Sequence, residues 1–219
     1  MNKDQIKELL DAKHDEFNVP SYIDYDPIQV PYLFTQTEDI EIAAFLTATI
    51  AWGNRKAIIK NARRLMSLMD NAPYDFTMNA TEAELNHVKQ FVHRTFNGDD
   101  CSFAIRSLQN IYKQHNGLHA LFSKGYHDSE SIKETLIFVR SVMLETPLLK
   151  GREKHFANAA KNSSCKRLNM FLRWMVRHDN RGVDFGLWQD IPMSVLQIPL
   201  DVHVGNVARK LGILERKQN

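Results

Sequence analysis

The chain has 219 residues, 43% of them apolar, which is ample for a buried core and falls near the upper end of one domain or the lower end of two. No segment reaches the ~18 consecutive apolar residues of a membrane span, and the charged N-terminus MNKDQIKELLDAKHDE is unlike a secretory leader, so a cytoplasmic location is expected. A formal net charge of +2 conceals an uneven distribution, with ten acidic and three basic side chains in residues 1–41 but nine basic residues against Glu153 and Asp179 in residues 150–181.

A short amphipathic helix is expected first. The segment NVPSYIDYDPIQVPYLF follows, and its three prolines predict an extended, aromatic-rich strap. Thr35 with Glu38 fits a capping box ahead of EDIEIAAFLTATIAW, which is apolar on nearly all sides, as a helix at the centre of a bundle is; Gly53 and Asn54 end it. From Arg55 the positions Ile58, Ile59, Ala62, Leu65, Met66 and Met69 recur at three and four, leaving Arg55, Lys56, Lys60, Arg63 and Arg64 on the other side of a second helix. Thr81 with Glu84 caps another helix, Ser102 opens one that stops near Gly117, and Ser131 with Glu134 caps one that ends before Pro147.

In Cys165–Arg177, Leu168, Phe171, Leu172 and Met175 share one face, while Lys166, Arg173 and Arg177 share another. An irregular stretch from Gly182 leads to Asp201, which stands where an N-cap belongs before Val204, Val207, Ala208 and Leu211, with Gly212 as the stop. No strand alternation appears, so the fold class is all-α, with about eight to ten helices by the same periodicity.

The basic residues Lys150, Arg152, Lys154, Lys161, Lys166, Arg167, Arg173, Arg177 and Arg181 form a candidate phosphate-facing surface; ordinary solvated helix faces would read the same way. Cys101 and Cys165 are too far apart in sequence to suggest a disulfide framework or a clustered metal site. Among nine histidines only His115 and His119 fall at i,i+4, with Gly117 between them, so neither a metal nor another cofactor is expected.

The segment IPLDVHVGNVARKLGIL resembles the helix-hairpin-helix DNA glycosylase superfamily, in which a carboxylate enters the helix after the hairpin. Asp201 matches that aspartate. SSCKRLNMFL puts Lys166 where lyase members carry their lysine, at the start of the second hairpin helix, and IAAFLTATIAWGNRKAIIKNARRLM resembles the helix–turn–helix that inserts a residue where the damaged base leaves, with Trp52 at that position. The resemblance covers about residues 38–70 and 150–214, and the spacing of 35 between Lys166 and Asp201 is closer to the archaeal branch specific for oxidised guanine than to endonuclease III relatives. The whole chain is also similar to a bacterial family of unassigned function whose members continue into further C-terminal helices, so a chain stopping at Asn219 is expected to lack part of that domain.

The resemblance implies a single unit of two helical subdomains, a central one over about residues 35–145 and a second from residues 1–34 and 146–219 that carries the hairpin and the active-site helices. It implies a bifunctional glycosylase and lyase acting on double-stranded DNA with a damaged base, with Lys166 and Asp201 catalytic. Asn54, Arg55, Lys56, Ser163, Ser164, Arg167, Arg173 and His203 would contact DNA, and Trp52 would be the wedge or a stacking platform. Trp174 and Trp188 are the other candidates for stacking on an extruded base. No iron–sulfur cluster, membrane or obligate protein partner is implied. The usual Gly-x-Gly turn of the hairpin is replaced by Lys161-Asn162-Ser163-Ser164, so side-chain donors would take over from backbone amides at a phosphate, and Ser163 and Ser164 can also cap the helix.

The two residue types suit the chemistry. Cleaving a glycosidic bond builds positive charge on the sugar that a carboxylate stabilises, and a neutral amine attacks the anomeric carbon to give a Schiff base. A helix N-terminus, a neighbouring Arg167 and an apolar surround all favour the neutral amine. Plainer readings stay open: Asp201 as an N-cap only, Lys166 as a surface lysine, Trp52 as a packing aromatic, His203 as structural, and the chain as a nucleic-acid-binding module without turnover or as a protein-binding helical scaffold.

Overall fold

The computed structural model describes residues 1–147 and 153–217, among which there are ten α-helices and no strand. The fold is all-α. Helix α1 (Lys3–Phe17), closed by an Asn2–Gln5 capping box, buries none of its side chains and is held at its C-terminal end by polar contacts. There Asn18 donates to Asp179 at 2.6 Å and accepts from Arg177 at 2.8 Å, and Arg181 pairs with Asp15 at 2.5 Å.

Helix α2 (Thr37–Thr49) is the axis of the molecule. Every residue from Ile40 to Thr49 is buried, because the segment is apolar all round and α3 (Arg55–Leu68), α4 (Pro73–Asn79), α7 (Gly117–Ser129) and α9 (Lys166–Val176) pack about it. Full burial of side chains such as Ile42, Phe45 and Leu46 contributes about 1.5–3 kcal/mol each. The interior also holds Glu41, whose carboxylate accepts from the Tyr112 hydroxyl at 2.7 Å and the Trp188 indole N–H at 2.8 Å. Helix α6 (Gly98–Gln114) packs with α7 and α8 (Ile132–Met143), braced by α4 and α5 (Glu82–Val88). The buried core is continuous from Ile28 to Ile191 and draws on both segments expected as subdomains, α9 lying directly on α2 with Phe171 edge-on to Phe45 at 5.4 Å.

Several local expectations need correction. The strap is not extended: Pro20–Tyr25, Pro27–Gln29 and Pro31–Leu33 are 3-10 turns, each opened by a proline whose fixed φ suits a first helical position. The box expected at Thr35 and Glu38 is absent. The N-cap of α2 is Gln36, without a side-chain hydrogen bond, and the next helix is capped by Asn54. Ser102 opens nothing, because a box of Asn97 and Asp100 starts α6 four residues earlier and Ser102 is buried within the helix.

The sequence reading leaves 117–129 without a helix, whereas Gly117, at φ +94°, starts α7 after Asn116 at φ +58°. A glycine taken as a stop signal serves as a first residue. The capping box at Thr81, the Ser131 cap and the buried stripe Ile58, Ala62, Leu65, Met66 of α3 are as the sequence predicts.

Candidate active site

Lys166 is the first residue of α9 and Asp201 the N-cap of α10 (Val202–Lys210), its Oδ1 accepting from the Val204 N–H at 3.0 Å. Both line one cleft of ≈ 780 Å³, within the ~300–1,000 Å³ range of small-molecule sites. Trp52 and Gly53 contribute from the turn between α2 and α3, Arg55 from the start of α3, Asp26 and Pro27 from the strap, and His203 from α10. Ser164 ties the two halves together: its hydroxyl, two residues before Lys166, donates at 3.0 Å to the carbonyl of Leu200, the residue before Asp201. The register between amine and carboxylate therefore rests on one side-chain hydrogen bond as well as on packing.

Burial holds the Lys166 ammonium below the ordinary lysine range. The carboxylates of Asp201 and Asp26 pull it back up, and Arg173 and Arg167 push it down. Its Nζ lies 3.7 Å from the Met170 sulfur, one turn along, so an apolar wall covers it on that side. The outcome is a half-buried amine whose desolvation outweighs the pull of the two carboxylates in its field.

The turn that precedes α9 takes left-handed geometry at Asn162 (φ +58°) and Cys165 (φ +47°), so two non-glycine residues adopt the conformation that favours glycine. Its serines do not cap α9 as expected. Cys165 is the N-cap without a side-chain bond, Ser163 accepts from the Cys165 N–H at 3.3 Å, and Ser164 serves Leu200.

The expected cationic face of α9 is largely committed inside the protein. Arg167 donates to the carbonyls of Thr49 and, at 3.0 Å, of His155, and lies 4.8 Å from the Trp52 ring centroid. Arg173 and Arg177 flank Asp184, whose side chain is 1% exposed. Arg167 nonetheless lines the cleft, and Arg173 and Arg177 stay partly exposed beside their carboxylate. Lys150 and Arg152 lie outside the described residues. Asn54, Arg55 and Lys56 are exposed at the start of α3, Asn54 as its cap to Ala57 N–H at 3.2 Å, and His203 is exposed on α10.

Trp52 is half-buried, stacked on His155 at 5.8 Å and edge-on to His93 at 5.2 Å. A ring held this way forms one wall of the cleft. Trp174 and Trp188 are fully buried and take no part in stacking on a ligand. Among the described residues no group of three or more His, Cys, Asp or Glu side chains has the arrangement of a metal site, and Cys101 and Cys165 are free and buried.

Sequence reasoning missed Asp26, whose place in an Asp-Pro turn was the available signal; it caps the turn at Pro27, accepting from the Ile28 N–H at 3.1 Å, and faces Lys166. It also missed His155, buried 3.3 Å from Asp100 behind Trp52, for which periodicity carries no signal.

The model of a protein family described as of unknown function (DUF2400) matches residues 26–219. The chain belongs to the DUF2400 family. The matched span contains every residue lining the cleft, from Asp26 to His203, and leaves out α1 of this DUF2400 chain. No curated protein and no solved structure matches. No described helix is long and apolar enough to cross a membrane.

Proposed function

We propose that this DUF2400 chain is a DNA base-excision glycosylase with lyase activity, acting in the cytoplasm on duplex DNA with a damaged base, oxidised guanine being the preferred lesion. The observation that carries the reading is a half-buried lysine, depressed by desolvation, on the same cleft as a carboxylate capping the next helix. The resemblance of the segments around Lys166 and Asp201 to the helix-hairpin-helix glycosylases supports it further.

In this reading the neutral Lys166 amine attacks C1′ of the nucleotide. The base leaves with the electron pair of the glycosidic bond and takes up a proton, while the Asp201 carboxylate stabilises the positive charge that develops on the sugar. Loss of the amine proton and opening of the sugar ring give an imine. The imine acidifies the C2′ hydrogen, whose removal expels the 3′ phosphate oxygen. Trp52 and Met170 form apolar wall for a base turned out of its stack.

Borohydride trapping tests this. With duplexes carrying 8-oxoguanine or an abasic site, a covalent adduct should form with the unsubstituted chain and vanish in Lys166→Ala, while Asp201→Asn should slow it by at least ~100-fold. A second reading, a nucleic-acid-binding module without turnover, is favoured by the commitment of the hairpin serines to protein partners. It predicts salt-sensitive binding with no adduct on any lesion.

A further inference from the structure

Beside the cleft runs a second concavity of ≈ 840 Å³, between the strap turn that ends at Tyr25 and the exposed side of α3. The two share Arg55 and so form one continuous surface. Arg55, Lys56, Lys60 and Arg63 line the groove, and Asp24 is the one carboxylate along it. Among the described residues no carboxylate pairs with any of the four cations; Arg63 donates to the Gln29 side chain at 2.8 Å instead. From Arg55 to Arg63 the charges extend over about 12 Å of helix at ~1.5 Å per residue. Tyr25 is 70% exposed among them.

Unpaired cations along one line match a row of phosphates. An exposed aromatic face in the same groove has a use only for a ligand with a free ring face, which a base inside a duplex lacks. We propose that the groove holds an unpaired segment of the nucleic-acid strand leading to the cleft, with phosphates on Arg55, Lys56 and Lys60 and a base stacked on Tyr25. The inference rests on the nucleic-acid reading of the cleft, but its ligand contacts are independent of Lys166 and Asp201.

Fluorescence anisotropy with a labelled 15-nucleotide oligothymidylate, at several salt concentrations, provides the test. Tyr25→Ala should weaken binding about 5- to 150-fold, the range for loss of one stacked base, and Tyr25→Phe should restore it. Lys60→Ala should lower the slope of log affinity against log salt by about 0.7, the value for one phosphate of a single strand. Both residues are exposed, so melting curves should be unchanged. Binding indifferent to Tyr25 and Lys60, or competed equally well by a polyglutamate peptide, overturns the proposal. The two readings fail separately. A borohydride adduct with Tyr25-indifferent binding removes the groove and leaves the lyase, whereas Tyr25-dependent binding with no adduct does the reverse.

Discussion

Lys166 illustrates how much of a reactive residue lies outside its own identity. The sequence places a lysine at the start of a helix, a position in which lysine is common and usually solvated. Its surroundings come from two distant segments, Asp201 from the next helix and Asp26 from the strap, and from Arg173 two turns along its own helix. Burial is the largest influence and favours the neutral amine. Trapping rates should therefore rise with pH and level off below the ordinary lysine value of ~10.4. The carboxylate of Asp201 favours the charged amine, so Asp201→Asn should move the midpoint lower still even as the rate falls. A midpoint that stays at the ordinary lysine value in the unsubstituted chain would falsify the desolvated nucleophile. Asp201 itself was legible as an N-cap from the sequence, because capping is a local rule. For Asp26 the Asp-Pro pair signals a turn cap, but nothing local shows that the cap also lines a cleft.

At the scale of elements, periodicity recovered the helices that pair an apolar stripe with a capping residue, such as α3, α5 and α8. It failed where a turn residue had two possible roles, as Gly117 does at the start of α7. Helix α9 shows a further limit. Its apolar face was read correctly, but Lys166, Arg173 and Arg177 looked like one solvated side because a helical wheel does not show what the following loop brings back. That loop returns Asp184 beneath Arg173 and Arg177, and the N–H groups of Phe185 and Trp188 donate at 2.9 Å to the carbonyls of Trp174 and Met175 at the end of α9. Asp184→Ala leaves Arg173 without its carboxylate and Arg177 with only Asp179, at 3.6 Å. It should destabilise the chain by about 2–3 kcal/mol, below the ~3–5 kcal/mol of a fully buried pair because solvent screens the arginines. Urea denaturation measures this, and a loss under about 0.5 kcal/mol would show that the loop is held without the ion pairs.

For the whole molecule the distribution of charge decides which surface faces an anionic partner. Counting along the chain pointed to residues 150–181, yet the fold commits Arg167, Arg173 and Arg177 to internal acceptors and leaves Arg55, Lys56 and Lys60 open beside the cleft. Arg55→Ala and Lys56→Ala should each reduce the salt dependence of duplex binding by about one phosphate, while Arg173→Ala should leave the slope unchanged in filter-binding titrations. An equal effect of all three would show that the arginines of α9 also reach DNA. The all-α class, the central apolar helix, the cap at Asp201 and the start of a helix at Lys166 were set by the sequence itself, because each depends on side-chain periodicity or on hydrogen bonds a few residues long. Tertiary structure alone decided that Lys166 and Asp201 share a cleft, that Trp52 lines it, and that Arg55, Lys56 and Lys60 stay open while Arg167, Arg173 and Arg177 meet internal partners. Those outcomes depend on contacts between residues 35 to more than 100 positions apart, and burial and pairing are properties of the neighbours such contacts supply.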